Sequence, residues 1–81
     1  MNILIAGGCG YIGSHTAAEL IKSGHDIVIC DSLIRGSVDA PDAIAEITGK
    51  KFSFYRVDIS DTDSLCAVFE KHRFDAVINF A

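Results

Sequence analysis

Basic residues are scarce in this 81-residue sequence. Seven Lys and Arg face eleven Asp and Glu, for a net charge of −4. That balance leaves no positive stripe to neutralise the phosphates of a nucleic acid, so nucleic acid is excluded as a partner. The one basic pair, Lys50-Lys51, reads as a solvated turn. No apolar run approaches the roughly 20 residues that cross a bilayer, so no membrane association is expected. Met1-Asn2 passes directly into Ile3–Ala6 with no positive n-region, and glycines stand where an h-region would run. A secretory signal is therefore not expected. Cysteines are three, an odd number, and Cys9, Cys30 and Cys66 match no zinc spacing. They read as reduced thiols in a cytoplasmic protein. His15, His25 and His72 are scattered and form no metal spacing with a cysteine or carboxylate, so each reads as a surface or packing residue and no metal is expected. Tryptophan is absent and proline occurs once, at Pro41.

Apolar residues are plentiful: 49% of the chain is hydrophobic, which excludes simple disorder. A chain of this length makes one domain or part of one, buries roughly 60% of its unfolded surface and is marginally stable. The most informative segment is Gly7-Gly8-Cys9-Gly10-Tyr11-Ile12-Gly13, directly behind the apolar run Ile3-Leu4-Ile5-Ala6. A strand that ends in a glycine loop and opens into a helix can bring its backbone close to a phosphate. The helix then points free N–H groups and its positive dipole end at that position. A side chain at Gly10 is expected to fill the space the phosphate needs and to meet a positive φ. Asp31 closes a second apolar run, Ile27-Val28-Ile29-Cys30, eighteen residues beyond Gly13. A carboxylate there accepts hydrogen bonds from an adenosine ribose and repels a 2′-phosphate. The two features together indicate a dinucleotide, NAD ahead of NADP. Arg35 is the counterweight, since an arginine can accommodate a 2′-phosphate, but it lies in a loop whereas Asp31 is fixed at a strand end. Cys9 lies near a helix N-terminus, which favours thiolate; a small residue that fits the loop is the preferred reading.

Along the chain, strands and helices alternate. Strands are expected at Asn2–Ala6, Ile27–Asp31, Phe52–Val57 and Asp75–Phe80. A helix over Ile12–Ser23 is expected to carry Ile12, Thr16 and Leu20 on one stripe, with Ala17 and Ile21 beside it, and to end at Gly24. Ser32–Asp39 reads as a loop. A short helix over about Pro41–Thr48 carries Ile44 and Ile47 and closes at Gly49. Ser60-Asp61-Thr62-Asp63 is a cluster of N-cap residues, followed by a helix with Leu65, Val68, Phe69 and His72 on one face. The order β-α-β-α-β-α-β predicts an α/β fold, a Rossmann-like doubly wound parallel sheet in the spatial order 3-2-1-4. The glycine loop, Asp31, Asp58 and Phe80-Ala81 then gather at the carboxyl ends of the strands, where such sheets bind ligands.

The loop Gly7-Gly8-Cys9-Gly10-Tyr11-Ile12-Gly13-Ser14-His15 resembles the start of the extended short-chain dehydrogenase/reductase family. Gly24-His25-Asp26, Asp31-Ser32-Leu33, Thr48-Gly49-Lys50-Lys51-Phe52, Val57-Asp58-Ile59 and Phe74–Ala81 are similar to its nucleotide-sugar 4-epimerases. The resemblance covers essentially the whole chain and implies NAD as cofactor. It implies that Gly7, Gly10 and Gly13 shape a pyrophosphate loop to which Tyr11 and Ile12 give backbone N–H groups. Asp31 would hold the adenosine ribose. Ser32, Leu33, Arg35 and Gly36 would line the adenine side, and Asp58 and Ile59 would flank the ring. Phe80 and Ala81 would pass beneath the middle of the cofactor. Ala6, Ser32 and Asn79 depart from the threonine, asparagine and histidine common at those positions, without removing a backbone contact. Asp58 reads equally well as a plain turn residue.

The family's catalytic tyrosine is followed four residues later by lysine. His15 follows Tyr11 and Ile59 follows Tyr55 at that spacing, so neither tyrosine fits and no catalytic residue is assigned. The resemblance implies reversible oxidation at C4 of a UDP-hexose substrate by a homodimeric parent enzyme. The chain is expected to be the N-terminal cofactor-binding portion of that enzyme, inactive alone. A nucleotide-sugar dehydratase, a uronate epimerase, a free-standing nucleotide-binding half-domain and a remnant without ligand are the alternatives.

Overall fold

A computed structural model describes residues 1–33 and 39–80. Seven elements alternate: β1 (Asn2–Ala6), α1 (Tyr11–Lys22), β2 (Asp26–Asp31), α2 (Ala40–Thr48), β3 (Ser53–Arg56), α3 (Thr62–Lys71) and β4 (Ala76–Asn79). All pairings are parallel and the strand order is β3-β2-β1-β4, as the alternation predicts. The register pairs Ile3 with Ile27, Leu4 with Val28, Ile5 with Ile29 and Ala6 with Cys30.

The continuous apolar runs of β1 and β2 follow from burial on both faces. Side chains alternate across a strand, so Ile3, Ile5, Ile27 and Ile29 share one face. There they pack with Ala17 and Ile21 of α1 and Ile44 of α2. Leu4, Ala6, Val28 and Cys30 point the other way and pack with Val68 of α3, flanked by Leu65, Val57, Ile59 and Phe74. The result is the doubly wound arrangement: two helices on one face, one on the other.

Helix ends follow the local chemistry. Asp61 caps α3 by accepting from the Ser64 backbone N–H at 3.3 Å and from its hydroxyl at 2.9 Å. Pro41 sits in the first turn of α2, where a missing N–H costs nothing. Gly24 and Gly49 lie just beyond α1 and α2 as expected.

Two helix faces differ from the periodicity reading. The buried stripe of α1 is Gly13, Ala17 and Ile21 rather than one led by Ile12, which is 66% exposed. The helix rotates so that its smallest residues meet the sheet and the glycine loop, and the close approach at Gly13 outweighs the burial of one isoleucine. On α3, Phe69 is exposed and turns its ring edge to Phe74, with centroids 5.4 Å apart, rather than joining Val68 in the core. No helix among the described residues is long and apolar enough to cross a membrane.

Candidate functional site

The carboxyl ends of all four strands lie on one edge of the sheet, and each ladder runs a residue past its strand. The Gly7 N–H donates to the Cys30 carbonyl at 2.8 Å, the Val57 N–H to Asp31 at 3.1 Å and the Phe80 N–H to Ala6 at 2.8 Å. These bonds hold the start of the glycine loop, Asp31, the chain before Asp58, and Phe80 in fixed relation.

The glycines of the loop have different duties. Gly7 has φ +77°, the left-handed region that glycine adopts without strain. A Cβ on Gly13 would sit 2.4 Å from the Gly7 carbonyl oxygen and 3.0 Å from the Gly8 Cα, so Gly13 lets α1 start against the loop's own backbone. A Cβ on Gly8 would sit 2.6 Å from Cγ2 of Ile29, so Gly8 lets the loop rest on β2. Gly10 is unlike these. Its φ is −76° and ψ 174°, which any residue adopts, so the expected positive φ at this position is not found. Among the described residues the nearest atom to a Cβ there is the Gly7 oxygen at 3.6 Å, an ordinary contact. Packing among the described residues does not require glycine at this position and leaves the space in front of it open.

Gly10 is also the N-cap of α1, and as a glycine it provides no capping side chain; the first turn carries no acidic residue. The first N–H groups of a helix have no intrahelical partner, and the helix dipole adds partial positive charge there. The backbone at Tyr11, Ile12 and Gly13 therefore faces the loop as a ready anion site. The side chains of Tyr11 and Ile12 are exposed at 77% and 66%.

Asp31 stands beside this site, only 9% exposed. Its Oδ2 accepts the Cys9 N–H at 2.9 Å and its Oδ1 the Leu33 N–H at 2.8 Å. The carboxylate thus clamps the glycine loop on one side and the post-β2 turn on the other. Leu33 reaches its bond with φ +65°. Each carboxylate oxygen still has a lone pair for a further donor. Ser32 is half-buried beside it. The Cys9 thiol is pushed up to about 11, by burial first and then by the negative charge of Asp31. It is a neutral packing residue, despite its position before a helix.

Asp58 is exposed, and its Oδ1 accepts both the N–H and the hydroxyl of Ser60, at 2.9 and 2.8 Å. Those bonds favour the charged form and hold its pKa below the ordinary carboxylate value. Its side chain is that of a turn residue. Ile59 is half-buried against the Val68 side of the core. Phe80 is exposed next to the loop. Arg35, Gly36 and Ala81 lie outside the described residues. Among the described residues no cluster of three metal-ligating side chains occurs. Sequence reasoning passed over Gly8, whose need for glycine depends on Ile29 across the sheet, and over the Cys9 N–H, whose partner lies 22 residues away.

A sequence model described as GDP-mannose 4,6 dehydratase matches residues 4–81. The chain belongs to that family. Within this GDP-mannose 4,6 dehydratase family it is 47% identical to a UDP-glucose 4-epimerase from Bacillus subtilis over 81 residues, all of this chain and 24% of the relative. A crystal structure of UDP-glucose-4-epimerase from Stenotrophomonas maltophila, with bound NAD and formylated UDP-arabinopyranose, superposes with a TM-score of 0.94 at 43% identity. A UDP-glucose 4-epimerase from Bifidobacterium longum in complex with NAD+ and UDP superposes with a TM-score of 0.97 at 34% identity. Each superposition covers 100% of this chain and 24% of the other. The chain thus spans about a quarter of the length of the relatives it matches.

Proposed function

We propose that this chain is the NAD-binding part of a UDP-glucose 4-epimerase, the opening portion of its Rossmann domain. The observation that carries the reading is Gly10. A cradle that a Cβ would fill, with no group of the described residues requiring it empty, lies at an uncapped helix N-terminus beside a fixed carboxylate. A pyrophosphate fits that donor set. Gly7, Gly10 and Gly13 shape its seat, and Tyr11 and Ile12 supply N–H groups. Asp31 accepts the adenosine ribose hydroxyls through the lone pairs its two backbone bonds leave free. Ser32 and Leu33 border the adenine, with Asp58 and Ile59 on its far side. Phe80 lies under the centre of the cofactor. The relatives' bound NAD supports this assignment. The buried negative charge of Asp31 favours NAD over NADP.

Bound NAD supplies the hydride acceptor and donor for C4 of a UDP-hexose. These residues bind and orient it; they contain no acid or base for the sugar hydroxyl. The epimerase is a cytoplasmic homodimer in this reading, and the 81-residue chain does not turn over alone.

Gly10→Val tests the assignment. The side chain enters the open space, so NAD affinity falls at least roughly tenfold, while stability falls by no more than about 1 kcal/mol, the scale of an altered cap. Calorimetric titration of NAD and NADP into both proteins, with thermal melts, measures this. Unchanged NAD affinity in the variant, or tighter NADP than NAD binding by the parent sequence, overturns it. A dehydratase is the second reading, favoured by the description of the matching family. In the full-length enzyme, UDP-galactose formation from UDP-glucose, without a 4-keto-6-deoxy product, decides for the epimerase.

A further inference from the structure

We propose that the cleft at the opposite edge of the sheet, where the strands begin, binds a small polyphosphate anion. The cleft measures ≈ 420 Å³ and is bordered by the first residues of β1, β2 and β3: Asn2, Asp26 and Ser53. That volume is within the range of small-molecule sites. At roughly 3.3 Å per strand residue, it lies about 15 Å from the glycine loop, too far for one phosphate group to serve both.

The chemistry is set by charge. Six Lys and Arg fall among the described residues, and four of them, Lys50, Lys51, Lys71 and Arg73, line this one cleft. They arrive from two places, the connection before β3 and the segment ending α3. Among the described residues the single ion pair is Lys22 with Glu19, so none of the four is neutralised by a carboxylate. Asp26 is the one acidic residue in the lining, and Asp75 lies nearby with Oδ2 accepting the Asn2 N–H. Gathering four cations against two carboxylates, in a chain of net charge −4, costs repulsion that a multivalent anion relieves.

The cations are also positioned. Lys50 Nζ donates to the Ile21 carbonyl at 3.4 Å, and Lys71 Nζ stands 5.7 Å from the centre of the Tyr55 ring. An ammonium has three donors, so both retain capacity for phosphate oxygens. Four charges spread over one cleft suit a chain of phosphates better than a single one. Phe52 and the stacked rings of His72 and Phe74 also border the cleft, and a nucleobase finds a flat surface there.

The test uses inorganic tripolyphosphate and ATP, titrated into the protein at low and high salt. In Gly10→Val, whose glycine loop no longer competes, tripolyphosphate is expected to bind with one-to-one stoichiometry and to weaken with salt, and ATP is compared in the same background. In Lys51→Glu/Arg73→Glu, both exposed positions, its affinity falls at least roughly tenfold, and in Lys51→Gln/Arg73→Gln by an intermediate factor. Saturable binding persists in Gly10→Val, which separates this cleft from the glycine loop. ATP binding more tightly than tripolyphosphate assigns the site to nucleotides; equal affinities assign it to the phosphate chain alone, and both support the proposal. No saturable binding, or binding that survives charge reversal and disappears in Gly10→Val, overturns it.

Discussion

The two central strands and the two flanking strands are built differently. β1 and β2 are buried over every residue but their first. β3 and β4 hold no fully buried residue, and Val77 of β4 is 52% exposed. The groups at the candidate site divide along the same line. Gly8, Gly13 and Asp31 hang from the centre: Gly8 is seated on the Ile29 side chain, Gly13 on the loop backbone, and Asp31 is held by two backbone N–H groups. Asp58 and Phe80 hang from the flanks and are exposed. In the proposed reading the centre sets the position of the cofactor's phosphates and ribose, while the flanks adjust to what lies over them.

Ile29→Ala is the largest test of that contrast. Ile29 is fully buried, packs in the α1/α2 core and supports the loop under Gly8. The change removes its side chain from a closed core and costs about 2–5 kcal/mol. Against a total stability on the order of 5–15 kcal/mol, this is a large fraction of what holds the fold. Urea denaturation measures the loss. A cost below about 1 kcal/mol means that the centre is not the rigid half.

Gly13→Ala comes next. Alanine in a helix gains up to about 1 kcal/mol over glycine. Here the new Cβ meets backbone at 2.4 Å, so the loop must move, and overpacking of about 1–3 kcal/mol wins. The expected outcome is a lower melting temperature together with weaker NAD binding. Gly10→Val, in contrast, loses affinity and keeps most of its stability. If the two variants behave alike, the division of duties between these glycines is wrong.

Much of this was legible in the sequence, for physical reasons that differ by residue. Unbroken apolar runs identify β1 and β2, Gly24 and Gly49 mark where α1 and α2 stop, and Asp61 marks where α3 starts. Those signals are local. The buried face of α1 was misjudged because periodicity weighs Ile12 by its hydrophobicity, whereas the fold weighs Gly13 by its lack of a side chain. The clamp from Asp31 to Cys9 and the seat of Gly8 on Ile29 depend on pairings across the sheet, which no local pattern encodes. Lys50-Lys51 read as a solvated turn for the same reason: Lys71 and Arg73 join it only once β3 and α3 are in place.

Thiol reactivity gives a third, smaller contrast. Cys9 and Cys30 are buried at the centre and Cys66 is exposed on α3. Burial and the charge of Asp31 raise both central thiols, Cys9 to about 11. Compared with an ordinary value of 9.0, that leaves roughly a hundredfold less thiolate near neutral pH, before access is counted. Mass spectrometry after brief alkylation should find Cys66 labelled and the other two protected until the protein unfolds. Labelling of Cys9 in the folded protein would place the loop in solvent.

The smallest effect belongs to Asp58, at the flank. Its carboxylate is stabilised in the charged form by the N–H and hydroxyl of Ser60, so its folded pKa lies below the unfolded value of about 3.9. A group with a depressed folded pKa adds stability that is present above the unfolded value. That contribution disappears as pH falls through the folded one. The window is thus below about pH 4, and at neutral pH the interaction is fully in place. Because Asp58 is fully exposed, solvent screens it and the effect is small. Asp58→Asn keeps an oxygen that can accept both Ser60 bonds but removes the titration, so its stability should decline less steeply on acidification than that of the parent sequence. Carbon-detected NMR titration of the Asp58 carboxyl checks the cause directly. A folded pKa at or above the unfolded value means that Ser60 does not hold the turn in solution, and that this flank is looser than its hydrogen bonds imply.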